Sequence, residues 1–130
     1  LCSLRLGLGA LLPNLTPVAV LFVLMGVLGW KLDVGTCMVA AVALGIAVDD
    51  TLHLGLSWQR HGKQVALRRT GTALWASTLV NAAGFAALNL SPFLPPQRFG
   101  TLTAIAVVTA LFADLTLWPW VLQRFANSDD

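Results

Sequence analysis

The 130-residue chain is 57% hydrophobic and 11% charged, with a mean hydropathy of +0.77, whereas about a quarter of the residues of a soluble domain carry charge. So apolar a composition belongs to an integral membrane protein, and a net charge of +2 without a basic patch interleaved with aromatics argues against a nucleic-acid partner. Cys2 and Cys37 lack CxxC or Cys/His spacing and read as small buried thiols, so neither a metal nor an organic cofactor is expected.

Polar punctuation falls at Lys31 to Asp33, Gln59 to Thr70 and Ser91 to Gly100. The apolar stretches between predict four membrane-spanning helices, over about 7–30, 34–58, 70–90 and 98–122, since about 20 residues at about 1.5 Å each cross a hydrocarbon core of about 30 Å. The fold class expected is therefore all-α, a polytopic membrane helix bundle. Without a charged leader or cleavage site near Leu1, the chain reads as one part of something longer.

The first span contains Pro13 and Pro17, where a missing N–H and a ring clash kink a helix. Asn14 to Thr16 and Asn89 to Ser91 fit the glycosylation pattern, but the first lies near the expected cytoplasmic side and the second runs into Pro92. Neither is read as modified. Arg60, Lys63, Arg68 and Arg69 lie between the second and third spans and Arg5 and Arg124 near the chain ends, against only Lys31 and Arg98 on the other side. The positive-inside rule then makes both termini cytoplasmic. Trp30, Trp58, Trp118 and Trp120 fall near helix ends, suited to the headgroup layer. Pro92, Pro95 and Pro96 predict a rigid external turn.

The second span holds GIAVDDTLHL, residues 45–54. Asp49 follows Asp33 by 16 residues and precedes Arg60 by 11, which places it about 24 Å and about 16 Å from the two ends. An Asp at a helix centre costs about 2.5–3.5 kcal/mol on insertion scales, and each large aliphatic residue returns about 0.3–0.6 kcal/mol. About ten aliphatic residues of this span thus roughly cancel Asp49 and Asp50, and the helix needs a polar face to look at. Gly45, Asp49 and His53 lie on one i, i+4 ridge with Asp50 beside it, preceded by several alanines. The acidic patch is therefore expected to be shut into a tight helix contact. Two adjacent carboxyls cannot easily both ionise, so the pair should titrate as a unit and serve as a proton relay. Helix–helix hydrogen bonding without titration is the simpler alternative. His53 alone reads as a hydrogen-bond partner.

Ser77, Thr78 and Asn81 form the polar cluster of the third span, and Asp114 is the acid of the fourth. Asp114 reads first as a packing or gate residue and second as another proton site. Enzymatic motifs built on paired acids do not fit. The fifth position of a DDxxD motif is His53, and where a GxGD motif is needed this stretch gives Gly45-Ile-Ala-Val-Asp49. No enzyme activity is expected.

The segment DVGTCMVAAVALGIAVDDTLH at 33–53 resembles the aspartate-bearing tenth transmembrane helix of the resistance-nodulation-division (RND) superfamily, above all its MMPL-like and hopanoid-transporter-like exporters. LRLGLGALLPNLTPV at 4–18 resembles the entry to the preceding helix. ALRRTGTALWASTLVNAAGFAALNLSPF at 66–93 resembles the eleventh helix, and FGTLTAIAVVTALFADLTLWPWVL at 99–122 the twelfth. The resemblance covers nearly the whole chain in family order. It implies an exporter of lipids or hydrophobic compounds in the bacterial inner membrane, driven by the proton gradient, with Asp49 and Asp50 as the relay and Thr78, Asn81, His53 and Asp114 in support. An N-terminal half of the transporter and membrane lipids are the implied partners, self-association into a homo-oligomer being compatible with both. The chain has Asp-Asp where mycobacterial members of the family have Asp-Tyr, and no tyrosine at all. A sterol-sensing-like lipid-binding or regulatory module and an inactive gene fragment are the alternative readings.

Overall fold

The computed structural model describes residues 4–126, and the side chains of residues 8–124. Four α-helices follow one another: α1 Leu4–Leu28, α2 Val34–His61, α3 Lys63–Ala86 and α4 Leu94–Ala126, with a 3-10 turn at Ala87–Leu90 before the last. No strand occurs among the described residues. All four helices are long and apolar enough to cross a membrane, and the fold is the expected all-α membrane bundle.

α4 packs against each of the other three helices, and α2 touches both neighbours, whereas α1 and α3 do not meet among the described residues. The sequence sets this arrangement through one inward stripe per helix. α1 buries Pro13, Asn14, Pro17, Leu21 and Met25, α2 buries Val39, Ala43, Ala47, Asp50, Thr51 and Leu54, and α3 buries only Ala66, Gly71, Leu74 and Thr78. These follow the three- and four-residue spacing of one helix face. Two apolar clusters result. Leu21, Met25, Val39, Ala43, Leu102 and Ala106 fill the end of the bundle near the α1–α2 turn, and Leu54, Leu74, Leu111, Trp118, Val121 and Leu122 fill the end near the α2–α3 turn.

The connections differ from expectation. Residues 59–70 are helical except for Gly62, whose φ of +78° turns the chain between α2 and α3. Gln, Arg, Lys and Ala are good helix formers, so a polar stretch here continues both helices and a single glycine supplies the left-handed backbone. Pro95 and Pro96 stand in the first turn of α4, not in a turn before it. The N–H groups they lack would have no intrahelical partner there. Helices α1 and α4 run on through Pro13, Pro17 and Pro119, all three buried. At the start of α2, Asp33 Oδ1 accepts from the Thr36 N–H at 2.8 Å and the Asp33 N–H donates to Thr36 Oγ1 at 2.8 Å, a complete capping box. Arg98 lies over the Trp30 ring at 5.2 Å and ties the end of α1 to the start of α4.

Two side chains lie elsewhere than predicted. Trp118 is a core residue, only 6% exposed. Gly55 of α2 leaves room for its indole, since a Cβ there would come within 3.2 Å of Trp118 Cζ2. Cys37 is exposed, because Thr36, Val39 and Ala43 take the inward stripe of α2. Cys2 lies outside the described residues.

Candidate functional site

The two aspartates diverge. Asp50 belongs to the inward stripe with Ala43, Ala47 and Leu54 and is 8% exposed, while the Asp49 side chain is 72% exposed. One residue on a helix is about a 100° rotation, enough to carry Asp49 out of the bundle. His53, one turn along, goes with it, and its Nε2 stands 3.5 Å from Asp49 Oδ1. Gly45, on the same ridge, meets no neighbour within 4 Å of where a Cβ would be. The expectation of one acidic patch closed into a helix contact therefore holds for Asp50 and fails for Asp49 and His53. The small residues that let helices approach are Ala43 and Ala47, fully buried, on the Asp50 side.

Between α2 and α3 lies a cleft of about 470 Å³. Asp49, Asp50 and His53 line it from α2, and Arg69, Thr70 and Ser77 from α3. Arg69 brings a positive charge to the cleft that holds the acids, without forming an ion pair within 4 Å; among the described residues the acid–base contact of that length is Asp49–His53. The expected third span begins only at residue 70, which leaves Arg69 in the connecting loop. The helical continuation of α3 down to Lys63 is what turns it into the cleft.

Of the supporting residues, Ser77 lines this cleft and Thr78 does not. Thr78 shares its stripe with Gly71, which packs on Leu115 of α4, and its hydroxyl is buried without a hydrogen-bond partner. Asn81 is half-buried. The structure does not join Ser77, Thr78 and Asn81 into one polar cluster facing the aspartates.

Asp114 is fully buried, and its partners are ones sequence reading missed. Thr51 Oγ1 lies 2.6 Å from Asp114 Oδ1 on α4, 2.7 Å from Asn14 Oδ1 on α1 and 2.8 Å from the Ala47 carbonyl oxygen of its own helix. Asn14 is 5% and Thr51 2% exposed. One hydroxyl thus links three helices. Asp50, the residue before Thr51, is buried on the same face of α2. A signal for Asn14 existed in the sequence, as an amide within an apolar span between two prolines. Thr51 gave none, since a threonine in a membrane helix ordinarily bonds back to its own i−4 carbonyl.

Chemically the site has two parts. One is an outward, mid-span acid–imidazole pair opening on a polar cleft with Arg69. The other is a closed polar layer holding a buried carboxyl.

Comparison with known proteins gives two findings. Residues 50–128, from Asp50 through α3 and α4, match the MMPL family. A protein of Methanocaldococcus jannaschii, named only as a membrane protein, is 29% identical over 104 residues, covering 73% of this chain and 27% of its own length. The chain thus spans little more than a quarter of that relative. No solved structure matches it.

Proposed function

The chain belongs to the MMPL family, and from that premise we propose that it is the C-terminal membrane part of a proton-driven exporter of lipids or other hydrophobic compounds, with Asp49 and Asp50 as its proton relay. Family membership supports a membrane transporter in general terms. The observation that carries it is the outward position of Asp49 and His53. An acid and an imidazole 3.5 Å apart within an apolar span, exposed at the α2–α3 cleft instead of packed into the bundle core, are too costly to face hydrocarbon. They suit a face covered by further helices of the same transporter, where a proton can be taken up on one side and released on the other as the helices move.

Asp50, closed in beside the cleft, is the inner member of the pair. Arg69 supplies a cation whose interaction with the acids depends on whether they are protonated. The basic residues Arg60, Lys63, Arg68, Arg69 and Arg124 all belong to the bundle end at the α2–α3 turn, which supports a cytoplasmic placement of that end in a bacterial inner membrane.

The experiment is replacement of both acids, Asp49→Asn with Asp50→Asn, in the full-length protein. Proton flux into proteoliposomes, followed with a pH-sensitive dye, should be lost while membrane insertion and yield stay normal. Unchanged flux removes the relay. Lost flux with retained binding of a fluorescent sterol to the unmodified protein alone would leave the transport reading intact, whereas sterol binding without any flux in the unmodified protein favours a lipid-sensing module.

A further inference from the structure

The closed layer of Asn14, Thr51 and Asp114 has too few hydrogens for the oxygens it brings together. Thr51 Oγ1 has one hydrogen and three oxygens within 2.8 Å: Asn14 Oδ1, the Ala47 carbonyl oxygen and Asp114 Oδ1. It can donate to one of them. The Asn14 amide can meet the hydroxyl by turning its N–H group inward, since the two ends of an amide have the same shape. The carboxyl has no such freedom. As a carboxylate it would be fully buried in a membrane-spanning bundle with at most one donor, because Oδ2 has no hydrogen-bond partner, and an ion so poorly served is strongly unfavourable. As a carboxylic acid, Asp114 donates through Oδ1 to Thr51 Oγ1, and Thr51 donates to the Ala47 carbonyl oxygen. Only a neutral carbonyl oxygen then goes without a partner.

The charged surroundings point the same way. From α2, the buried titratable side chain beside Thr51 is Asp50, itself an acid. α1 presents no titratable side chain between residues 8 and 28. The basic residues Lys63, Arg68 and Arg69 of α3 make no ion pair with Asp114. Among the described residues no cation lies within ion-pairing distance of Asp114.

We propose that Asp114 is a resident proton-holding acid which, bonded through Thr51 to α2 and to Asn14 of α1, fixes the depth and rotation of Asp50. Asp114 and Thr51 are positioning residues: they act on the relay through the helix that carries it. The inference rests on the relay reading for its consequence, but the protonation of Asp114 stands without it.

Infrared spectroscopy of the full-length protein in lipid nanodiscs tests both parts. At neutral pH the unmodified protein should show the carbonyl stretch of a protonated, hydrogen-bonded carboxylic acid. That band should vanish in Asp114→Asn and persist in the Asp49→Asn, Asp50→Asn double variant. Thr51→Val, which keeps the shape and removes the hydroxyl, should move the band to higher frequency, and Thr51→Ser should leave it in place. In the proteoliposome assay Thr51→Val should displace the pH profile of proton flux, and Thr51→Ser should restore it. A band unaffected by Asp114→Asn overturns the resident proton, and so does a band unmoved by Thr51→Val. An unshifted pH profile in Thr51→Val overturns the positioning role. Persistent proton flux in the Asp49, Asp50 double variant would sink the relay reading and leave the Asp114 band as it is, so the two can fail separately.

Discussion

Gly100 of α4 lies directly against Leu88: a Cβ added to Gly100 would stand 2.7 Å from the Leu88 Cβ and would also meet the Phe85 carbonyl oxygen. Neither obstacle is the mobile end of a side chain, so α4 and the end of α3 can approach this closely only over a glycine. Gly100→Ala should destabilise the bundle by about 1–3 kcal/mol, the usual cost of overpacking. Thermal unfolding in detergent checks this, and an unchanged midpoint would show that the two helices separate easily there.

The capping box of α2 gives a second prediction. Asp33 accepts the Thr36 N–H at 2.8 Å, so Asp33→Ala should cost about 1 kcal/mol and Asp33→Asn much less, because an amide oxygen also caps. Amide hydrogen exchange of residues 34–37 should rise in the alanine variant and stay low in the asparagine variant.

Trp30 and Arg98 bring together the ends of α1 and α4 with the cation 5.2 Å from the ring centroid. Arg98→Met keeps the aliphatic reach and removes the charge, and should cost about 0.5–1 kcal/mol. Trp30 fluorescence, isolated by replacing the other four tryptophans with phenylalanine, should change with this substitution and not with Arg124→Met.

Asp49 and Asp50 should separate in stability as they do in position. Asp49→Leu alters an outward side chain, and in the isolated chain its unfolding free energy should move by no more than about 0.5 kcal/mol or become more favourable. Asp50→Leu enlarges a buried position beside fully buried Ala47 and Leu54 and should destabilise by about 1–3 kcal/mol. Equal effects from the two would contradict their different burial.

Hydropathy made the four spans legible, because length and apolar composition are local properties of the chain. The α2–α3 connection is not, since its polarity reads as a loop although Gln59, Lys63 and Arg69 are residues that helices accept. Periodicity correctly grouped Gly45, Asp49 and His53 on one ridge, but a ridge does not say which side the neighbours are on. Ala43 and Ala47 carried that information, and in register they point with Asp50. The Asn14–Thr51–Asp114 contact joins residues 37 and 63 positions apart. No local pattern encodes such a meeting; it depends on how three helices stack in depth.

The central place of α4 bears on the order of assembly. α1, α2 and α3 enter the membrane first, yet α1 and α3 have no contact among their described residues and each leans on the last helix. Until α4 arrives, Asn14 and Thr51 lack their partner Asp114, and the three earlier helices form an open arc. Insertion of α4 is then the step that converts loosely gathered helices into a bundle, and a ribosome stalled before residue 94 would leave that arc, polar groups included, for the cell's membrane quality control to recognise.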